Sequence, residues 1–337
     1  MRVSVYIAAT RSDTVGAAVR SIVKQTYRDW ELVVIAQGPA VEGISQTVQE
    51  ALGGREGRVI RQAGRGLSRA RNAAVAATCG EVIASIDDDC EAEPDWLEAL
   101  IAAFREAPRA GLVGGALVAP PRSRRGLANC PACLPGDLLY EPPHAWTDTP
   151  TGFSIIGGNL ALLRSTVERV GAFDEALGAG AHFPVAEEVD YMRRAANLGI
   201  AMRSTSAAVV HHTYGWRFGI REVWKLQRDY SFGNGGHAAK MTLLGDPRGE
   251  DDLRRVQRLA VRDWLERRHL VALPGGLRRY HHFAKGYRDC LNGYFVTDRG
   301  VLQRNPVSVE SRCVAAIPVS DPPPRQGLSV SGGLDRG

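Results

Sequence analysis

Short apolar runs alternate with segments of helical periodicity along the first 118 residues. The pattern predicts strands at 3–8, 32–36, 59–60, 81–86 and 112–118, and helices at 13–25, 41–52, 67–78 and 96–104. Alternation of strands and helices favours a parallel sheet covered by helices on both faces, with right-handed crossovers. We therefore predict an α/β fold with a mostly parallel sheet flanked by helices.

The pattern changes after residue 118. A Pro- and Arg-rich loop is expected over 120–150, strands at 153–163, 200–204 and 207–211, and a helix at 187–198. Beyond Gly215 the sequence becomes helical, and one predicted helix face carries Ile220, Val223, Trp224 and Tyr230. We predict an α/β domain over 1–215 with halves 1–118 and 119–215, a helical region over 216–304, and a disordered tail over 305–337.

Composition narrows the class of protein. Hydrophobic residues make up 44% and charged residues 23%, as in soluble globular proteins, and no apolar run approaches the length of a membrane span. The N-terminus runs directly into a strand pattern without a secretory leader, so a cytoplasmic location is expected. Six cysteines do not form a dense disulfide framework, and the CxxC at Cys130 and Cys133 has no second pair to complete a zinc site.

Positive charge is concentrated in the C-terminal part of the chain. The net charge is +5, yet residues 216–304 hold 18 Lys and Arg against 10 Asp and Glu. This excess is compatible with an anionic partner, such as nucleic acid, a membrane surface or a phosphorylated substrate, and also with solvated helix faces. No stacking array of aromatic residues accompanies it, so nucleic acid is not expected. Peripheral contact with the anionic inner face of a membrane remains open.

An apolar run that ends on Asp87, Asp88 and Asp89 carries the first candidate chemistry. Ligands of parallel sheets bind outside the carboxyl ends of the strands. Three carboxylates there repel one another, and a divalent cation such as Mg²⁺ or Mn²⁺ would compensate them. A solvated acidic turn before the helix that Pro94 opens is the alternative.

Several separate segments together resemble the family 2 glycosyltransferases, which have the GT-A fold and use nucleotide-sugar donors. The resemblance covers roughly residues 3–235. Its motifs are the strand 3–10, the helix end 21–27, Gly66-Leu67-Ser68-Arg69-Ala70-Arg71-Asn72-Ala73, the acidic triplet 87–89, Gly157-Gly158-Asn159-Leu160-Ala161, 171–175, and Glu187-Glu188-Val189-Asp190. Each is weak alone, and their shared order makes coincidence improbable.

The resemblance implies a donor site along the first strands. Its residues would be Ala8, Thr10, Arg11, Gln37, Arg71, Asp87, Asp88, Gly158 and Asn159. Arg71 would face the diphosphate, or else form an ion pair at the surface or at the edge of the core. Gly158 and Asn159 would lie under the sugar, or else form a β-bulge. Relatives usually carry Asp where this chain has Ala36 and Gln37, which leaves the nucleotide base open.

The resemblance also implies the metal and the base. Asp89 would bind the cation directly, and His211 is preferred over His212 as the imidazole that completes the site. Glu188 occupies the position of the general base, although the family more often has Asp there. Glu187 and Asp190 would contact the acceptor or support the helix, whose N-terminus favours acidic residues in any case.

The sequence therefore predicts an inverting, metal-dependent glycosyltransferase. It would move one sugar from a UDP- or dTDP-sugar to the hydroxyl of a glycan, a lipid-linked glycan or a small molecule. The Q-x-x-R-W motif of processive synthases is missing, which favours single transfer. A non-catalytic nucleotide-sugar scaffold and a nucleotidyltransferase are the alternatives.

Overall fold

The computed structural model describes residues 1–120, 125–127, 132–142, 150–213, 215–266 and 273–306. The side chains of 261–266 and 273–274 are not part of this description. Cys130 of the predicted CxxC pair lies outside the described residues, as do much of the predicted 120–150 loop and the predicted disordered tail from residue 307 onward.

The N-terminal segment is a parallel sheet with crossover helices, as predicted. Its strands are β1 (Val3–Ala9), β2 (Trp30–Gln37), β3 (Arg58–Gln62), β4 (Val82–Asp87) and β5 (Cys90–Ala92), and its helices are α1 (Val15–Val23), α2 (Val41–Leu52), α3 (Leu67–Ala76) and α4 (Trp96–Glu106). A 3₁₀ turn, Gly38–Ala40, precedes α2. β1 pairs in parallel with both β2 and β4, so their carboxyl ends share one edge of the sheet.

The following segment completes a mixed sheet. It contributes β6 (Ala110–Val118), β7 (Leu138–Tyr140), β8 (Asn159–Leu163), β9 (Ala201–His212), α5 (Arg164–Val170) and α6 (Glu187–Asn197). Within the described residues the strand order is β3-β2-β1-β4-β8-β6-β9-β5, with β7 beside β9. β8 runs antiparallel to its neighbours β4 and β6, and the other pairings along β1–β4 are parallel. The predicted fold class is confirmed.

Polar residues at 205 and 206 interrupt the apolar pattern, so two strands are predicted, at 200–204 and 207–211. The structure has one continuous strand there. β9 continues through Thr205 and Ser206, and its register with β6 shifts between Gly114 and Ala116. Asp137 stabilises the irregularity because it accepts hydrogen bonds from the Thr205 hydroxyl, at 2.8 Å, and from the Ser206 amide, at 3.0 Å. A bulge therefore accommodates the polar residues without ending the strand.

The C-terminal segment is helical, as predicted. It consists of α7 (Ile220–Leu243), α8 (Arg248–Glu266) and α9 (Leu273–Gly293), followed by a hairpin of β10 (Tyr294–Val296) and β11 (Leu302–Arg304). α7 and α9 run side by side in one direction, with Phe232 beside Gly286. Close approach requires glycine there, because a Cβ on Gly286 would lie 1.9 Å from the Phe232 carbonyl oxygen. No helix among the described residues combines the length and hydropathy needed to cross a bilayer.

The apolar face predicted for the first half of α7 is exposed to solvent. Ile220 is 58% exposed, Trp224 50% and Tyr230 45%, whereas the buried residues of this helix begin at Gly233. The apolar periodicity of this half of the helix is real, but the surface that it faces is solvent.

A buried ion cluster joins α6 to α7. The Lys240 ammonium lies 2.7 Å from the Asp174 carboxylate and also contacts Asp190, and all three side chains are almost completely buried. Arg194 donates to Asp190 at 3.0 Å. Burial alone would raise the pKa of Asp190, but Lys240 and Arg194 hold this pKa below its ordinary value. The helix that begins with Glu187 is thereby fixed to the helical segment.

Candidate active site

The acidic triplet lies at the carboxyl end of β4, as expected for a ligand-binding edge. Asp87 is the last residue of the strand, and Asp88 and Asp89 form the turn into β5. The chain turns here, so the side chains of Asp88 and Asp89 do not point to opposite sides as they would on an extended strand. Burial and the charge of Asp89 together raise the pKa of Asp87 to about 7, so these carboxylates repel each other.

Asp88 holds the loop that follows β1. Its Oδ2 atom accepts hydrogen bonds from the Thr10 amide at 2.7 Å and the Arg11 amide at 3.1 Å. The side chain is 5% exposed. The prediction of Asp88 as a donor-binding residue is therefore corrected: its oxygens are committed to the loop, and its effect on a ligand would pass through the loop of Ala8, Thr10 and Arg11.

Asp89 lies in a cluster with Cys90 and His212. Their ligand atoms are all within 4.8 Å of one another, and the His212 Nε2 atom is 3.6 Å from the Asp89 carboxylate. The predicted choice of His211 is wrong, because β9 places that side chain on the other side, where it contacts the Glu93 carboxylate at 2.7 Å. Neighbouring residues on a strand point in opposite directions, and register decides which one faces the site.

The donor set of this cluster fits a divalent cation. Burial lowers the pKa of His212. The charges of Arg11 and Arg217 lower this pKa further, whereas the charge of Asp89 raises it. The net pKa is below its ordinary value, so the imidazole is neutral near pH 7. Neutral imidazole is the form that binds metals. The buried Nδ1 atom of His212 has no hydrogen-bond partner among the described residues. A neutral imidazole with its Nε2 atom beside a carboxylate can bind a cation, and the Arg11 guanidinium, which pairs with the Asp88 and Asp89 carboxylates, would have to share them with it.

Arg71 is an internal anchor. Its guanidinium is 1% exposed and donates to the Tyr6 hydroxyl at 3.3 Å, the Gly157 carbonyl at 3.2 Å and the Glu187 carboxylate at 3.3 Å. Burial alone would lower the pKa of Arg71, but Tyr6, Glu187 and Asp87 raise it above its ordinary value. The structure shows an ion pair of Arg71 with Glu187, and the predicted contact with a diphosphate stays a prediction.

The consecutive glycines before β8 make room for these charged groups. A Cβ on Gly157 would lie 2.5 Å from a terminal nitrogen of Arg71, and one on Gly158 would lie 2.7 Å from an oxygen of Asp87. Any larger residue would displace the guanidinium or the carboxylate. Gly158 thus belongs to the site that the sequence predicts, and its contact with a donor stays a prediction.

Asn159 and Gln37 are hydrogen-bonded within the protein scaffold. The Asn159 amide donates to the Ala116 and Ala208 carbonyls, both at 2.8 Å, and accepts from the Trp96 indole at 2.9 Å, with no exposed surface. Gln37 exchanges hydrogen bonds with the backbone of Gly66 at 2.9 and 3.2 Å. These amides connect strands and loops around the site, and their contact with a donor stays a prediction.

Helix α6 presents its first carboxylates towards Arg71. Ala186, which precedes it, has φ of 71°, and no other non-glycine residue in the described part of the chain has a positive φ. Such left-handed backbone is strained for a residue with a Cβ and is concentrated at functional sites. Burial and the charge of Glu188 together raise the pKa of Glu187 to about 7. Glu188 is half-buried beside it, and Asp190 supports the helix through the buried ion cluster.

Sequence reasoning missed several residues of the site. Tyr6 gave no signal, because an aromatic residue within an apolar strand usually indicates core. Cys90 directly follows the acidic triplet, and its position was the available clue. Lys240 and Asp174 lie 66 positions apart, and only the three-dimensional structure shows their pairing.

Comparisons with known proteins identify relatives of part of this chain. Residues 4–128 match the family described as Glycosyl transferase family 2. The glucosyl-dolichyl phosphate glucuronosyltransferase of Haloferax volcanii is 35% identical over 123 residues, which is 35% of this chain and 39% of that relative. The chain therefore aligns with about two fifths of the relative's length.

Solved structures show the same fold at low sequence identity. A mannosyltransferase from Pyrobaculum calidifontis, in complex with GDP-Man and Mn²⁺, superposes with a TM-score of 0.55 at 14% identity, over 86% of this chain and 87% of that one. S. aureus TarS 1–349 gives a TM-score of 0.50 at 13% identity, over 91% and 97% of the two chains. The resemblance predicted from the motifs is confirmed: residues 4–128 match the model of the family 2 glycosyltransferases, and the fold of the chain is of the GT-A type.

Proposed function

We propose that this protein is an inverting, metal-dependent glycosyltransferase that moves one sugar from a nucleoside-diphosphate sugar to an acceptor hydroxyl. One observation carries the proposal: Arg71 lies between the sheet and the carboxylates that open α6, with Asp87 close enough to raise its pKa. It touches Tyr6 on β1, Gly157 and Glu187 at once. This arrangement supports the proposal, because the reaction requires the proposed cation site of the acidic turn and the proposed base of α6 to lie close together.

Asp89 and His212 would hold the cation, with Arg11 adding positive charge at the same carboxylates. When bound, Mg²⁺ or Mn²⁺ stabilises the charge of the departing nucleoside diphosphate. The loop of Ala8, Thr10 and Arg11, which Asp88 orders, would hold the nucleotide. Asp87 and Gly158 would lie beside the ribose and the sugar.

Glu188 is the residue that would take the proton of the acceptor hydroxyl. The oxygen would then attack the anomeric carbon from the side opposite the leaving diphosphate. One displacement inverts the configuration at that carbon, so the product anomer is opposite to that of the donor. Glu187 would stay beside it, bound to Arg71, with a pKa of about 7 that lets it carry a proton near neutral pH.

Experiment has to identify the nucleotide base of the sugar donor and the class of acceptor. The sequence favours a UDP- or dTDP-sugar, and the solved mannosyltransferase relative is in complex with GDP-Man, so GDP-sugars belong in the test. The Haloferax relative is described as acting on glucosyl-dolichyl phosphate, which makes a lipid-linked glycan one of the acceptor classes to examine.

The test is product analysis with UDP-, dTDP- and GDP-sugars, each with Mn²⁺ and with water or simple glycosides as acceptors. We expect release of a nucleoside diphosphate that EDTA abolishes, and a loss of about 10²-fold or more in Asp89→Asn. Asp29→Asn, an exposed aspartate elsewhere, is the matched control.

Two other outcomes would replace this proposal. Release of pyrophosphate would identify a nucleotidyltransferase. Donor binding with no turnover on any acceptor, water included, would identify a nucleotide-sugar scaffold.

A further inference from the structure

The start of α7 exposes apolar side chains that a core helix would bury. Phe218 is 59% exposed, Ile220 58% and Trp224 50%, and all three lie within seven consecutive residues. Their spacing places Ile220 and Trp224 one turn apart on the same side of the helix. A cluster of large exposed apolar residues on one element indicates a contact surface, whereas single exposed residues do not.

Cationic side chains surround these residues. Trp224 lines a cavity of about 270 Å³ together with Arg221, Lys225, Arg228, Arg278 and His282. The Arg278 guanidinium lies 4.6 Å from the centre of the Trp224 ring, so α9 adds its charge to the surface that α7 forms. The acidic neighbours are few: Asp229 pairs with Lys225 and Arg228, and the Glu222 carboxylate accepts hydrogen bonds from the Phe218 and Gly219 amides.

This surface adjoins the proposed active site. His212 ends β9, and Phe218 follows it by six positions. The Leu127 amide donates to the Arg217 carbonyl at 2.8 Å. A large object that docks at the start of α7 would therefore lie beside the edge where an acceptor has to enter.

We propose that Phe218, Ile220, Arg221, Trp224, Lys225 and Arg278 form a docking patch for the surface of an anionic phospholipid bilayer. Aromatic and aliphatic side chains enter the boundary between head groups and acyl chains, and surrounding Arg and Lys bind anionic head groups. Trp is well suited to this boundary because its ring is apolar and its N–H is polar. Charge complementarity selects a lipid surface of negative charge over a neutral one.

The patch lacks the features of a surface that binds nucleic acid or another protein. A nucleic-acid surface would pair its cations with bases stacked on several aromatic rings, and the patch offers one indole with an arginine already over its face. A stable protein interface needs a larger apolar centre than three side chains supply. Both partners remain measurable outcomes of the test.

The experiment is cosedimentation of the full-length protein with vesicles of phosphatidylcholine, alone or mixed with phosphatidylglycerol. We expect binding to the mixed vesicles at low salt and its loss at about 1 M salt, where the screening length falls to about 3 Å. Ile220→Ser/Trp224→Ser and Arg221→Glu/Arg278→Glu should each weaken binding at least about 10-fold.

Matched controls come from the same molecule. Leu243→Ser/Leu244→Ser removes two exposed apolar residues from the other end of α7, and Arg20→Glu/Arg105→Glu reverses two exposed charges remote from it. Both double variants should bind like wild type. Turnover of a soluble donor should be equal in all four double variants, so a failure of the docking proposal stays distinct from a failure of the proposed activity.

The proposal is overturned if wild type ignores the mixed vesicles or binds both kinds of vesicle equally. It is also overturned if the patch variants bind the mixed vesicles as well as wild type does. Salt-sensitive binding of an oligonucleotide without vesicle binding would assign the patch to nucleic acid. A dimer that only the patch variants lose, again without vesicle binding, would assign it to self-association.

Discussion

Glu188→Gln is expected to lower kcat by about 10²- to 10⁴-fold, the usual contribution of a positioned general base. The amide has the size of the carboxylate and can still hydrogen-bond to Glu187, but it cannot accept a proton from the acceptor. The Arg71–Glu187 pair and the buried ion cluster below it are left in place. Donor affinity in the presence of Mn²⁺ should therefore stay at the wild-type level.

Glu168→Gln, an exposed glutamate on α5, is the matched control and should keep full turnover. Steady-state kinetics with the best donor, together with calorimetric donor binding, separate the two effects. A Glu188→Gln variant with near-wild-type kcat would remove Glu188 from the mechanism. Loss of turnover in Glu187→Gln alone would then transfer the role of base to its neighbour.

Lys240→Met is expected to reduce the free energy of unfolding by about 3–5 kcal/mol. The ammonium is fully buried between Asp174 and Asp190, and removing it leaves two carboxylates without their shared cation. Asp190 retains Arg194, and Asp174 retains hydrogen bonds from the backbone amides of Ala176 and Leu302. The loss comes mainly from two buried carboxylates that no longer share a cation.

Lys225→Met on the same helix provides the comparison. Its side chain is 70% exposed and pairs with Asp229, so its removal should cost about 0–1 kcal/mol. Urea unfolding followed by circular dichroism measures both variants. If Lys240→Met is no less stable than Lys225→Met, the buried ion cluster does not hold α6 to α7.

Elements with a strong local pattern were predictable from the sequence. The limits of α2 agree residue for residue with the predicted helix over 41–52, and β6 contains the predicted strand over 112–118. β8 was predicted to begin at 153 and begins at Asn159, because the preceding residues form turns and an isolated bridge around the consecutive glycines. Its antiparallel direction follows from the topology of the whole sheet, which local periodicity does not encode.

Side-chain direction was the least predictable part of the site. The motifs located the correct segments, but register decides that His212, and not His211, faces Asp89. Asn159, Gln37 and Arg71 are suited to ligand binding by residue type, yet each finds buried partners far along the chain. Residue type indicates which chemistry is available, and tertiary packing decides whether a ligand or the protein uses it.

The half-exposed face of α7 illustrates the same limit. Helical periodicity of apolar residues indicates that a face is sheltered from water in some state of the protein. In this structure the described part of the chain leaves about half of Trp224 and of Ile220 exposed to solvent. The periodicity could not distinguish a core from a docking surface, and the exposed fractions do.

The central claim is that the acidic turn after β4 and the end of β9 form a cation site for a sugar donor. Anomalous diffraction at the manganese edge, from crystals grown with Mn²⁺ and a nucleoside diphosphate, tests it most directly. The account predicts one strong peak in coordination contact with the Asp89 carboxylate and the His212 imidazole, with the diphosphate beside it. Manganese and diphosphate bound together at a place remote from Asp89 would contradict it.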